Sequence, residues 1–296
     1  MVVLTRNMVN QRLNDGEIVL NIIRKKITAI EDDAFLDVPN LQSLSLEDNQ
    51  IIALPPNVFN GLENLRELQL NFNYIEVLQL NVFNGLGNLT KLHLEDNRIK
   101  VLPPNVFNAL ENLTELHLED NRIEVLPLNV FNGLGNLNVL NLSDNQITHL
   151  EPGIFEGLDN LHELDLSNNQ ITELPPNVFN GLVLLERLFL PNNPIEVIYQ
   201  STHEYLIQRN LDINALEVLP DDEYISPLDQ YALEMEALNK GDINGGRRNK
   251  KKRKQTKKSK KQKKQKKQKK QKGGKKSTKR KSTKKTKKKS KRKSKK

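Results

Sequence analysis

The chain has 296 residues and neither cysteine nor tryptophan. Without thiols it can form no disulfide, no thiolate metal site and no cysteine nucleophile. Long apolar runs are missing as well. No stretch approaches the ~20 residues that span a bilayer, and the opening MVVLTRNMVNQRLNDGEIVL has no apolar core of about 7–15 residues like that of a signal peptide. These absences predict an intracellular protein. Three glycosylation sequons, at Asn88, Asn112 and Asn141, point the other way, but asparagine is abundant enough here to produce them by chance. No Gly-rich phosphate loop or metalloprotease motif occurs, and no serine has a histidine partner that spacing could place. The chain is therefore expected not to be an enzyme and to need no cofactor. Acid is missing too, but only at one end. All 37 Asp and Glu lie in 1–246 with 13 Lys and Arg, a net of −24, whereas 247–296 holds 33 Lys and Arg and no acid. The overall charge of +9 thus averages two opposed blocks.

What the chain does contain is one 24-residue unit written six times over 41–184, starting at Leu41, Leu65, Leu89, Leu113, Leu137 and Leu161 without insertion. Positions 1, 4 and 6 of the unit are always Leu, position 9 is always Asn (Asn49 to Asn169) and position 19 is always Phe (Phe59 to Phe179). A fixed period of this length signals a solenoid, because one unit cannot bury its apolar face alone. The pattern LxxLxLxxNxIxxLPxxxFxxL resembles the 24-residue class of the leucine-rich repeat family. That resemblance implies an α/β-type solenoid, a curved horseshoe with parallel strands on its concave face. It also implies an asparagine ladder at position 9. The class is best known from secreted and cell-surface proteins whose ends carry disulfide-bonded caps, and this chain has none.

Within the unit, positions 3 to 7 alternate like a half-buried strand with leucines inward. Pro55-Pro56, Pro103-Pro104 and Pro175-Pro176 predict an extended return path, and seven phenylalanines from Phe35 to Phe179 are expected to stack as a spine. The expected organisation is an N-terminal segment at 1–16, a solenoid over 17–210 with degenerate terminal repeats, an acidic flank at 211–246 and a disordered Lys-rich tail at 247–296. Lys25 replaces the ladder asparagine in the first degenerate unit, and His203 stands where the last would carry phenylalanine. Ser201-Thr-His-Glu204 reads as a capping box opening a short helix. Ser226, Pro227 and Asp229 read as the start of a second helix over 227–240, expected to cover the C-terminal edge of the solenoid.

Specificity is expected on the variable concave positions: Glu67, Gln69, Lys91, His93, Glu95, Asp96, Glu115, His117, Glu119, Asp120, Asn141 and Asp165. The acidic pairs at positions 7 and 8 repel one another at strand spacing, so the face reads either as a trough for a basic partner or as a duplicated solvated surface. His93 and His117 fall at the same position of adjacent units. Imidazole and carboxylate can hold a divalent metal, but duplication supplies the pair without selection for one, and no metal site is assigned.

In the tail, Lys250, Lys251, Lys252, Arg253 and Lys254 resemble a single-cluster nuclear localisation signal. With no apolar residue after it, the stretch cannot offset the entropy of ordering. With no aromatic, it lacks a platform for stacking bases. Salt-sensitive, sequence-blind polyanion binding is what remains. The favoured reading is an intracellular protein–protein interaction scaffold, placed in the nucleus or nucleolus ahead of the cytoplasm, whose tail gives address or polyanion retention. The alternative is a nucleic-acid- or chromatin-associated protein whose tail binds RNA or DNA and whose acidic solenoid recruits basic proteins.

Overall fold

The computed structural model describes residues 1–13, 17–209, 217–227 and 229–230, which fall into one unit over 1–224 and another from 225 onward. In the first unit every repeat contributes one short strand. Val19–Asn21, Ser43–Ser45, Glu67–Gln69, Lys91–His93, Glu115–His117, Val139–Asn141, Glu163–Asp165 and Arg187–Phe189 pair in parallel, in chain order, as one eight-stranded sheet. The register is a constant 24 residues, so Leu44, Leu68 and Leu92 stand side by side. These leucines and those two residues on, such as Leu70 and Leu94, are wholly buried. Positions 3, 5 and 7 therefore face the other way, onto the concave surface.

A short sheet has few backbone bonds, and side chains supply the rest. Asn97 shows how. Its Nδ2 donates to Leu70 O (3.0 Å) and Leu94 O (3.1 Å), while its Oδ1 accepts from Ile75 N (3.0 Å). The same rung repeats at Asn49, Asn73, Asn121, Asn145, Asn169 and Asn193. Each rung satisfies buried backbone groups that the turn leaves over. At the first unit, Lys25 has no amide to offer, and its own N–H donates to Asn49 Oδ1 at 3.0 Å.

A second asparagine ladder, at position 24, runs along the exposed descending turns. Asn64, Asn88, Asn112, Asn136 and Asn160 each donate from Nδ2 to the carbonyl of the residue 25 positions earlier, at 2.7–3.0 Å. Two of the sequon asparagines, Asn88 and Asn112, are thus rungs of this ladder.

The phenylalanines stack in two runs where one spine was expected; in the first the centroids are 6.1 Å apart for Phe35–Phe59, 6.4 Å for Phe59–Phe83 and 5.9 Å for Phe83–Phe107. A second run follows, in which Phe155 stacks on Phe131 and Phe179 at 6.1 and 6.2 Å. At the C-terminal end Tyr205, not the position-19 residue His203, takes the next place. Its ring lies 5.9 Å from Phe179 and its hydroxyl donates to Leu182 O at 2.7 Å. A tyrosine suits a last ring because one edge can stay polar.

Both ends close differently from the sequence reading. The N-terminal segment adds a layer of its own. Val3–Leu4 pairs in parallel with Ala29–Ile30, and Thr5 Oγ1 caps the helix Arg6–Asn10 by accepting from Met8 N at 3.2 Å. Leu4 and Val9 are fully buried. Arg6 pairs with Asp37 and Asp33. The hydrogen bond from Arg6, aided by Asn10, holds the Asp37 carboxyl down at about 2. At the other end the expected capping box does not form. The helix spans Gln200–Gln208, so Ser201 lies inside it. Ser201 Oγ accepts from Asn177 N (3.0 Å) in the preceding repeat, and its own N–H donates to Asp221 Oδ1 (3.1 Å). A neighbouring backbone group outcompeted the local cap.

In the second unit, Ser226 Oγ accepts from Asp229 N at 3.1 Å and Ser226 O accepts from Gln230 N at 2.8 Å, an N-terminal turn of the kind Ser226 and Pro227 imply. Residues 231–240 of the expected helix, its docking on the solenoid, and the tail at 247–296 lie outside the described residues. Among the described residues no helix is long and apolar enough to cross a membrane.

Candidate functional site on the concave face

The strand register places the sequence-derived candidates in rows. Gln69, His93, His117, Asn141 and Asp165 line up at position 5, and Glu67, Lys91 and Glu115 line up at position 3 beside them. Several are occupied with one another. Lys91 Nζ pairs with Glu115 Oε1 at 2.8 Å, which raises the lysine pKa. Gln69 Nε2 donates to Glu67 Oε1 at 2.7 Å.

His93 and His117 stack, centroids 4.8 Å apart and rings 2° from parallel. Each turns Nδ1 toward the glutamate two residues on: His93 to Glu95 Oε1 at 3.3 Å, and His117 to Glu119 Oε1 at 3.4 Å. The hydrogen bond to Glu119 raises the pKa of His117 against its desolvation, with the charges of Glu119, Glu95 and Glu115 adding to it. Among the described residues no group of three or more His, Cys, Asp or Glu side chains converges as a metal site. The stacked rings spend their Nδ1 atoms on carboxylates instead.

Asp96 and Asp120 stand at position 8, at the rim of this face, with φ of 52°. Burial of the charged form, then the neighbouring carboxylates, pushes both carboxyls up. For Asp96 the neighbours are Glu95 and Glu119; for Asp120 they are Asp96, Asp144 and Glu119. The face therefore concentrates negative charge beyond what its own cations balance.

Three contributors, Asn71, Phe72 and Ser45, were not among the candidates, whereas Glu95 and Glu119 were. Asn71 Oδ1, Glu95 Oε2 and Glu119 Oε2 are buried acceptors without a hydrogen-bond donor, and Ser45 Oγ is a fourth polar atom in that condition. Asn71 is only 8% exposed and Ser45 2%. Beside Asn71 stands Phe72, 47% exposed at φ 54°. Every other regular repeat carries Asp or Asn at this left-handed position, residues that tolerate it, whereas for a bulky side chain it is an outlier. The signal was legible: Asn71-Phe72 interrupts the Glu-Asp pair of the units at 47–48, 95–96 and 119–120. Lys250, Lys251, Lys252, Arg253 and Lys254, the nuclear-localisation candidates, lie outside the described residues.

Comparison with known proteins agrees with this architecture. A family model described as leucine rich repeat matches residues 19–75, 63–123, 111–161 and 135–195. No curated protein sequence matches the chain. Among solved structures, a TLR13–ssRNA13 complex is similar with a TM-score of 0.58 at 24% identity, over 68% of this chain and 35% of that one. The present chain thus spans about a third of that neighbour's length, and the likeness concerns fold. With matched segments running from 19 to 195, the constant 24-residue register and the asparagine rungs, the chain belongs to the leucine-rich repeat family.

Proposed function

We propose that the protein is a non-enzymatic protein–protein interaction scaffold whose concave face, over Gln69, His93, His117 and Asn141, holds a basic protein partner. The observation that carries this reading is the excess of carboxylate and amide acceptors there: Glu95, Glu119 and Asn71 each keep a buried oxygen without a donor. Such atoms cost free energy until a donor arrives. Repeats of this family act as binding scaffolds, and a rigid, laddered sheet presents its face with little ordering cost. The reading further places the protein in the cell interior, with Lys250, Lys251, Lys252, Arg253 and Lys254 as a nuclear address.

A second reading is favoured by one feature, the 33 Lys and Arg of 247–296. Here the tail holds RNA or DNA by counterion release while the solenoid recruits basic proteins. The RNA of the TLR13 complex is a poor guide to the concave face of this chain, where phosphates would meet Glu95, Asp96, Glu119 and Asp120.

A photo-crosslinking amino acid at Gln69, compared with one at Leu128, which is exposed away from the sheet, tests the first reading in cells. Adducts are expected from position 69 alone and are expected to survive removal of 247–296, while RNA co-purification is lost with the tail. Adducts from position 128 alone, or dependent on the tail, would overturn it.

A further inference from the structure

Asn71, Glu95 and Glu119 belong to consecutive repeats at the same position, two residues beyond the paired Gln69, His93 and His117. Backbone bonds keep the register there, from Phe72 N to Glu95 O and from Asp96 N to Glu119 O, both at 3.1 Å. The three residues thus follow one another in a row along the stack at about the strand spacing of 4.8 Å, each with one donor-less oxygen. Each of these oxygens is an acceptor, so whatever completes the row must donate. The surrounding carboxylates make the place favourable for a cation and hostile to phosphate. A bare divalent metal does not suit it, because three ligands do not converge among the described residues.

Resting on the reading of the concave face given above, we propose that this row receives an arginine side chain from an extended segment of a partner protein. The guanidinium carries five N–H donors in a planar fork and serves carboxylates two at a time, whereas an ammonium is a point charge with three rotating donors. A fork can donate to acceptors offered by neighbouring strands at once. Phe72 marks the edge of the same row. Its exposed ring is held in a backbone conformation that the aspartates and asparagines at the same position adopt more readily, and such retained strain belongs to functional surfaces. A guanidinium already rests on an aromatic ring next door: Arg98 Cζ lies 4.1 Å from the Tyr74 centroid. Phe72 offers an incoming arginine the same kind of face.

The test uses the full chain and two fluorescent nonapeptides of equal charge, one alternating glycine with arginine and the other glycine with lysine, followed by anisotropy at fixed salt. The arginine peptide is expected to bind at least about tenfold more tightly than the lysine peptide, the scale of one charge-assisted bond. The double variant Glu95→Gln/Glu119→Gln should erase that preference. Phe72→Asn suits the backbone better than the native residue, so it keeps the fold, and it should weaken the arginine peptide severalfold. Glu63→Gln/Glu111→Gln, an equal change of charge on exposed descending turns, should leave the preference intact. Equal affinity for the two peptides, or a preference that survives Glu95→Gln/Glu119→Gln, would overturn the proposal. If adducts still form from position 69 in that event, the concave face remains the partner site and only its arginine selectivity falls.

Discussion

Two stretches of one sheet, built on the same backbone, treat their polar groups in opposite ways. Over the last regular repeats the face satisfies itself. Asn141 Oδ1 accepts from Ser143 N (3.0 Å) and Asp165 Oδ1 from Ser167 N (2.8 Å), while Asn168 Nδ2 donates to Asp144 Oδ2 (3.0 Å). Arg187 Nε donates to Glu163 Oε2 at 3.0 Å. Over the repeats from Leu65 to Asn136, Asn71, Glu95 and Glu119 keep unanswered oxygens. Strand register and burial of leucines are common to both stretches, so the fold does not create the deficit. Residue choice on the face does: Asn141 and Asp165 at position 5 take up the backbone N–H groups of Ser143 and Ser167, and Asn168 answers Asp144, whereas Asn71, Glu95 and Glu119 at position 7 each keep one oxygen that no neighbour answers. A surface meant only for water has no need to bury acceptors without donors, which is why the stretch from Leu65 to Asn136, and not the last regular repeats, reads as the place where a partner sits.

If the two stretches share their scaffold and differ only in their face, scaffold substitutions should cost the same in each. Phe107→Ala and Phe155→Ala should each lower stability by about 3–5 kcal/mol, read from urea or thermal melting. A large difference between them would break the comparison, because it would mean the core itself changes along the stack.

Face substitutions should differ in sign. Asp165→Ala leaves Ser167 N without its acceptor and should cost about 1 kcal/mol. Glu95→Gln removes a partly buried like charge beside Glu119 and Asp96 while keeping an oxygen for His93, so stability should hold or rise by up to about 1 kcal/mol. Loss of stability in both would show that the orphan oxygens are no deficit.

The smallest effect is a titration. Glu119 raises the folded-state pKa of His117 above its ordinary 6.5. That contribution to stability is complete below the unfolded value and fades as pH rises through the folded one. An NMR titration of the His117 ring should give a midpoint above 6.5, lowered again in Glu119→Gln. An unchanged midpoint would detach the histidine stack from its carboxylates.

Most of the scaffold can be read from the period alone. Invariant leucines and a position-9 asparagine dictate the sheet and its inner rungs because each acts on a neighbour a fixed 24 residues away. Features that break the period are less legible. Val3–Leu4 joins a layer by pairing with Ala29–Ile30 at an offset of 26 residues, a spacing no repeat would suggest. Tyr205 replaces a ring two places from where the unit puts one, and Ser201 bonds a neighbouring turn instead of its own helix. The outer asparagines were visible at Asn64, Asn88, Asn112, Asn136 and Asn160, but two of them fall in sequons, a pattern with a different familiar meaning. Of the candidate site, membership of the face follows from strand alternation. Which oxygens stay unsatisfied does not, since that depends on whether neighbouring side chains meet.

The ladders also set how the protein yields to force. Each asparagine rung joins a repeat to the adjoining one and to nothing further along the stack, so among the described residues these rungs fasten neighbours only. Drawn out from one end, a solenoid of this kind should peel repeat by repeat, each releasing up to roughly 80 Å of slack for its 24 residues. Tension on a bound partner would be met as a series of small, separate give-ways, and repeats beyond the peeled edge would keep their grip.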